Sequence, residues 1–368
     1  MKWFNTYSSN TLAGSGNQSF FLTGDDDVHK GRVYYKVFAG GRYQYSLLFS
    51  NILDSTYADG EKSCCNMICD EWQLIKATVG VCKECDVHTA TNPDEIQVLT
   101  FQGKESKAVM PGEFFVSDSI WISSEKDEYI CVEIIFSGSM IPSHEQSILP
   151  AFIREGDHWV PSCNLPFPGM IGCDRSVRGK IGFLGDSITQ GIGTPNNAYS
   201  HWCALAAESL GDQYAYWNLG LGFGRAQDAA SDGAWLFKAK HMDWVVLGYG
   251  TNDIGKQRDE ETIKRDLLSI IMKLKAAGTK VLLQTIPPFS WQGENLKKWI
   301  NINHYIRNTL SAYVDAVFDI APLLVADSES EGKAKYGGHP NEAGCRIWAR
   351  ELIPVLEKCI KESEDKRE

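Results

Sequence analysis

From about Arg32 to Phe136, apolar and polar positions alternate in short runs, each broken by glycine, aspartate, asparagine or proline. Arg32-Val33-Tyr34-Tyr35-Lys36-Val37-Phe38, Tyr43-Gln44-Tyr45-Ser46-Leu47-Leu48-Phe49, Glu95-Ile96-Gln97-Val98-Leu99-Thr100-Phe101 and Tyr129-Ile130-Cys131-Val132-Glu133-Ile134-Ile135-Phe136 mix β-branched or aromatic residues with polar ones. A period near two is that of half-buried strands. Several such runs at turn-punctuated spacing predict an all-β sandwich over residues 1–160. Residues 161–179 carry three prolines and several glycines without a sustained period, and read as a linker.

Beyond Lys180 the texture changes. Short apolar runs alternate with helical periods: Ile181-Gly182-Phe183-Leu184, then a helix near Tyr199–Leu210; Tyr214–Leu219, then Ala226–Lys238; Trp244–Gly248, then Glu260–Ala277; Lys280–Thr285, then Asn295–Tyr313; Ala316–Ile320, then Asn341–Lys358. Five strand–helix repeats in a row predict an α/β domain over 180–368, a parallel sheet with helices on both faces. Ligands of such sheets sit beyond the carboxyl ends of the strands, so the chemistry is sought in the loops that follow them.

Composition narrows the class. At 368 residues, 43% hydrophobic and 23% charged, the chain has the balance of a soluble globular protein of about two domains. Its 36 basic residues against 47 acidic ones give a net charge of −11, which repels polyphosphate and anionic membrane surfaces, so neither nucleic acid nor membrane is expected as a partner. No apolar run approaches the ~20 residues that span a bilayer, and Met1-Lys2-Trp3-Phe4-Asn5-Thr6 turns polar before a signal-peptide core forms. Eleven cysteines, an odd number spread over both halves, fit reduced thiols, and together these features lead to an expected cytoplasmic location. Cys64, Cys65 and Cys69 precede Cys82-Lys83-Glu84-Cys85, and two close thiol pairs can hold zinc. The first pair lacks Cys-x-x-Cys spacing, however, so these residues read as small buried hydrophobes and no metal or other cofactor is expected.

Four loops carry candidate chemistry. The opening strand runs into Gly185-Asp186-Ser187-Ile188-Thr189-Gln190-Gly191, which puts a serine hydroxyl at the sheet edge with glycines that permit a tight turn and close substrate approach. A Ser-Asp turn capping a helix would look the same. After Asn218 come Gly220, Gly222 and Gly224, whose exposed amides can serve as oxyanion donors or form an ordinary glycine-rich turn. The third strand ends in Gly250-Thr251-Asn252-Asp253, where the Asn252 amide can face a developing oxyanion or the pair can cap a helix. His339, in Tyr336-Gly337-Gly338-His339-Pro340-Asn341, precedes the last helix on the same rim as the serine. Its imidazole titrates near neutrality as a general base must, although a surface histidine at a helix start would look alike.

Taken together, Gly185-Asp186-Ser187, the glycine loop after Asn218, Gly250-x-Asn252-Asp253 and His339-Pro340-Asn341 resemble the four ordered blocks of SGNH/GDSL-type hydrolases. The likeness spans roughly Lys180 to Leu356. It implies a three-layer α/β/α, flavodoxin-like domain in which Ser187 attacks an ester and His339 relays its proton. The oxyanion would be held by the Ser187 N–H, a glycine-loop N–H and the Asn252 amide, with Asp186 and Asp253 supporting them from behind. Family members usually carry Asp three residues before the histidine, where this chain has Tyr336. A Ser-His dyad oriented by a main-chain carbonyl, or a carboxylate from Asp327-Ser328-Glu329-Ser330-Glu331, would then replace that acid. The family's usual spacing from Asn218 lands on Phe223, and Gly222 is taken as the loop donor. In the front half, Ser46–Asn51, Ile75–Val81, Thr100-Phe101-Gln102-Gly103-Lys104 and Val116-Ser117-Asp118 are similar to the sandwich of two-domain bacterial SGNH esterases, which implies a jelly-roll-like fold that walls the site, holds a sugar or only packs.

The family hosts acetylesterases, lipases, lysophospholipases and thioesterases, so the substrate has to be read from the rim. Trp291 and Trp299 flank the loop after Thr285-Ile286-Pro287-Pro288-Phe289, and aromatic faces suit sugar rings, although packing would place them there equally well. The expected substrate is a small-molecule or oligosaccharide ester, O-acetylated sugars foremost. A lysophospholipase or thioesterase is the alternative enzyme, and a carbohydrate-binding protein with an inactive hydrolase domain is the alternative from another class. The sequence sets no oligomeric state.

Overall fold

The structure is a computed structural model that describes residues 1–14, 16–24, 27–54, 66–87, 96–144, 148–231, 234–326 and 332–365. The chain divides into two compact units, the first reaching Val177 and including Ala215–Trp217, the second made of the rest of the chain from Arg178 on.

The first unit is built of antiparallel sheet. One sheet orders Ser8–Ser9, Met170–Cys173, Gly41–Ser50 and Phe114–Val116, with Ile120–Ser124 also paired to Gly41–Ser50. A second orders His158–Pro161, Ala151–Glu155, Val28–Lys36, Tyr129–Gly138, Trp72–Cys82 and Gln97–Leu99, with Lys107–Val109 also on Trp72–Cys82, and two small pairs join Ser19–Leu22 to Met140–Ser143 and Ile52–Leu53 to Met67–Ile68. The expected runs at 43–49 and 129–136 lie within strands, and those at 32–38 and 95–101 overlap strands, with Val37, Phe38, Ile96 and Thr100 beyond the strand ends, Phe101 in an isolated bridge and Glu95 outside the described residues. Alternate side chains point inward, because successive Cβ atoms of a strand leave opposite faces. Tyr34, Phe49, Trp72, Phe115 and Phe136 are buried, and the Phe49 and Phe115 rings stack with centroids 5.0 Å apart.

The expected linker is not one. Met170–Cys173 is a fully buried strand paired with Gly41–Ser50, so the first unit continues to Val177. Four residues are too few to set a period, and the prolines before them disguise the strand. Of the cysteine cluster, Cys64 and Cys65 fall outside the described residues. Cys82 sits in an apolar cluster with Tyr34, Tyr129 and Cys131, flanked by Cys85, and burial pushes its thiol up to about 11. Among the described residues no group of three or more His, Cys, Asp or Glu side chains is arranged to hold a metal ion, and no helix is long and apolar enough to cross a membrane.

The second unit holds five strands, Gly179–Gly185, Tyr214–Gly220, Trp244–Gly248, Lys280–Gln284 and Ala316–Phe318. They lie in the order second, first, third, fourth, fifth, and the pairs from the first to the fifth are parallel. This 2-1-3-4-5 order is that of doubly wound sheets, and its switch point lies beside the opening strand. The second strand is buried along its whole length. Glu260–Ala276 shows why the helices form. Asp259 caps it by accepting from the Thr262 amide, Glu260 and Glu261 face its positive end, and Ile263, Leu267, Ile270, Ile271 and Leu274 make one buried stripe. Of the expected helix over 226–238, Ala226–Ala230 and Ala234–Ala239 are helical and Ser231 forms a turn, with Asp232 and Gly233 outside the described residues.

The last helix, Glu342–Glu364, is tied down near its start. Trp348 stacks on Trp202 of the helix Trp202–Leu210 with centroids 4.9 Å apart, and its indole N–H donates to Gln284 Oε1 at 2.7 Å. The segment that precedes this helix, with His339 in it, is thereby held at the carboxyl edge of the sheet.

Candidate active site

The opening strand ends at Gly185, and Asp186 caps the single helical turn Ser187–Gln190 by accepting from the Ile188 amide at 3.0 Å. Ser187 is the first residue of that turn, so its own amide has no acceptor within the helix. The second strand closes on this turn from beside it. Asn218 Nδ2 donates to the Thr189 carbonyl at 3.1 Å, Asn218 Oδ1 accepts from the Gly220 amide at 2.8 Å, and the Leu221 amide donates to the Gly185 carbonyl at 3.0 Å. A side chain at Gly220 would come within 2.1 Å of the Gln190 amide, so only glycine allows the approach.

The third loop joins the second through Asn252, whose Nδ2 donates to the Gly224 carbonyl at 3.0 Å. One amide hydrogen fixes the group and the other remains to be aimed elsewhere. Asp253 is fully buried, accepts from the Ala226 amide at 2.9 Å and pairs with Arg258, which reaches on to Asp266. Its carboxylate thus caps the helix Ala226–Ala230 and anchors the glycine loop. Asp186 is buried behind the serine turn, and burial together with the nearby Asp253 carboxylate pushes its carboxyl up to about 7.

The deciding contact joins the first and last loops. Ser187 Oγ lies 2.8 Å from His339 Nε2, with both side chains half-buried. If the hydroxyl donates, Nε2 is the unprotonated nitrogen and the imidazole proton sits on Nδ1. Burial lowers the His339 pKa, with no charged group contributing, and among the described residues no carboxylate hydrogen-bonds it. Tyr336 packs its side chain against Gly344 of the closing helix. Asp327–Glu331, the other expected source of an acid, lies outside the described residues.

Residues 183–347 match the model of the GDSL-like Lipase/Acylhydrolase family. The chain carries an SGNH/GDSL hydrolase domain. It is accordingly a carboxylic ester hydrolase. No curated protein matches the sequence. Solved structures similar to this chain include an acetyl xylan esterase, 24% identical over 48% of this chain and 99% of that one, with a TM-score of 0.40. A member of the lipolytic protein G-D-S-L family from Veillonella parvula is 19% identical over 48% and 98%, with a TM-score of 0.39. A GDSL-like lipase from Bacteroides thetaiotaomicron is 18% identical over 49% and 88%, also with a TM-score of 0.39.

The two tryptophans expected as a sugar platform offer no open face in this SGNH/GDSL domain. Trp291 is 8% exposed and Trp299 7%, and the Trp299 indole donates to the carbonyls of Ile286 and Pro287 at 2.8 and 3.1 Å. They pack the loop that sequence reading placed them beside. Of the glycine-loop candidates, Gly222 is buried, whereas Phe223 takes a left-handed φ of 57° and is 38% exposed. Sequence reading missed two residues that touch the imidazole segment, Phe289 and Gly193. Phe289 was visible only as the end of an apolar loop run, and Gly193 only as a second glycine after the serine turn.

Proposed function

We propose that Ser187 is the nucleophile and His339 the general base of an esterase that removes O-acetyl groups from oligosaccharides. The observation that carries the catalytic part is the 2.8 Å contact between Ser187 Oγ and His339 Nε2. As Oγ attacks the acyl carbon its proton passes to Nε2, and the carbonyl oxygen gathers negative charge. The Ser187 amide, the Gly222 amide and the free N–H of the Asn252 side chain would receive that charge; donors fixed before reaction lose nothing to reorganisation. The imidazolium then protonates the leaving alcohol, and a water deprotonated by the same nitrogen releases the acid from the acyl-serine. Asp186 and Asp253 act from behind, holding the serine turn and the glycine loop.

Phe223 supports the sugar ester reading. It is an aromatic ring 38% exposed on the loop beside the proposed oxyanion donors, where it can cover the apolar face of a sugar. The 2-1-3-4-5 sheet, with helices gathered in two packed groups, fits the three-layer α/β/α arrangement, and the first unit fits a jelly-roll-like sandwich with no part in the chemistry. Ser187→Ala should abolish ester hydrolysis, a loss on the order of 10⁴-fold or more, while the melting temperature holds; unchanged turnover would refute the assignment. Wild-type protein should label with a fluorophosphonate at Ser187. Acetyl p-nitrophenyl esters and acetylated xylo-oligosaccharides should turn over faster than medium-chain esters, and the reverse order would favour a lysophospholipase or thioesterase.

A further inference from the structure

We infer that Phe289 is a positioning residue: its ring holds the His339 imidazole, which no carboxylate among the described residues hydrogen-bonds, in the plane that faces Ser187. The inference rests on the reading of Ser187 and His339 as the catalytic pair. An imidazole turns freely enough about its Cβ–Cγ bond that something must choose its plane, and in most serine hydrolases an acid on Nδ1 does so. Here the ring of Phe289 stands against the imidazole, edge to face, with centroids 5.6 Å apart and planes at 76°. Centroid separations of 4.5–7 Å are those of attractive aromatic pairs.

The contact extends to the backbone on both flanks of the chain. A Cβ at Gly338 would meet three ring carbons of Phe289 at 2.6–2.8 Å, so the phenyl group lies directly on the residue before the histidine. A Cβ at Gly193, where φ is +102°, would meet the Cβ and carbonyl oxygen of His339 at 2.9 Å, which makes the loop after the serine turn a second wall.

Phe289 is itself fixed. Trp291 stands 5.4 Å behind it, ring to ring. Trp299 ties down the carbonyls of Ile286 and Pro287, and Asn303 clamps Ile286 from both sides, accepting from its amide at 2.7 Å and donating to its carbonyl at 3.0 Å. Pro287 and Pro288 stiffen the segment between. The helix Gly293–Asn308, which supplies Trp299 and Asn303, thus holds the wall against which the imidazole rests.

The test is steady-state kinetics of the full chain over pH 4–9 with an acetyl ester. Phe289→Ala should lower kcat by roughly 10–100-fold with KM within about threefold, the cost of a catalytic group misplaced by about an ångström. It should also move the acid limb of kcat/KM upward toward an ordinary imidazole, because the ring shields His339 from water. Phe289→Leu, which keeps most of the wall, should recover most of kcat. If Phe289→Ala does not fold, Gly338→Ala supplies the same test by pushing the ring aside. Wild-type kcat with an unmoved acid limb in Phe289→Ala, or a Phe289→Leu as impaired as Phe289→Ala, would overturn the inference. So would loss of activity in the triple variant D327N/E329Q/E331Q, since a carboxylate would then be orienting the imidazole. His339→Ala separates the two levels: an active His339→Ala removes the catalytic pair itself, whereas an inactive one beside a normal Phe289→Ala removes only the role of the phenyl ring.

Discussion

At the scale of single residues the proposed chemistry turns on an imidazole that is half-buried and, among the described residues, has no charged neighbour to steady its protonated form. Burial alone sets the direction of its titration, downward. A general base works when neutral, so activity should persist to lower pH than an ordinary histidine allows. The acid limb of kcat/KM for an acetyl ester should fall below about 6.5, and a limb at 7 or above would mean that a carboxylate supports His339. Ser187, Asn252 and His339 were legible because each is the one chemically apt residue in a loop at a strand end. The tryptophans were not, because an indole that stacks on a sugar and one that packs a loop have the same sequence signature. Phe289 was hidden for the same reason, as nothing about a phenylalanine after two prolines says which ring it will face.

At the scale of elements, local signals fixed what forms and tertiary packing fixed where it stops. Asn341 caps the closing helix by accepting from the Ala343 and Gly344 amides at 3.1 and 3.2 Å, and it stands two residues from His339. Removing the cap in Asn341→Ala should cost about 1 kcal/mol in urea unfolding. Because the cap also sets where the chain enters the helix, kcat should drop by more than that loss of stability suggests, and an unaltered kcat would show that the Trp348 anchor alone places the histidine. The Met170–Cys173 strand was read as linker since pairing partners more than a hundred residues away leave no mark on four residues of local sequence.

At the scale of the whole molecule, the second unit keeps a carboxyl group deep behind its proposed nucleophile. Asp186 titrates near 7 when folded against 3.8 when free, so the native state binds its proton more tightly than the unfolded chain does. The stability this contributes is complete below about 4 and drains away as pH rises through 7. Asp186→Asn keeps a good helix cap while removing the charge. It should raise stability by on the order of 1–3 kcal/mol at pH 8, with little change at pH 4, and thermal melts across that range would show it; an equal shift at both ends would mean the carboxyl is ionised at no cost. The sequence alone determined the order of the elements, the switch from a period of two to alternating strands and helices, and the loops in which the candidate groups stand, because those follow from local periodicity and from where a parallel sheet presents its loops. Only the tertiary structure decided that a hydroxyl and an imidazole 152 positions apart meet at 2.8 Å, which glycines admit a neighbour too close for a side chain, and which aromatic rings face one another. Those are distances between remote segments, set by the packing of the finished fold and by no residue's near neighbours in the chain.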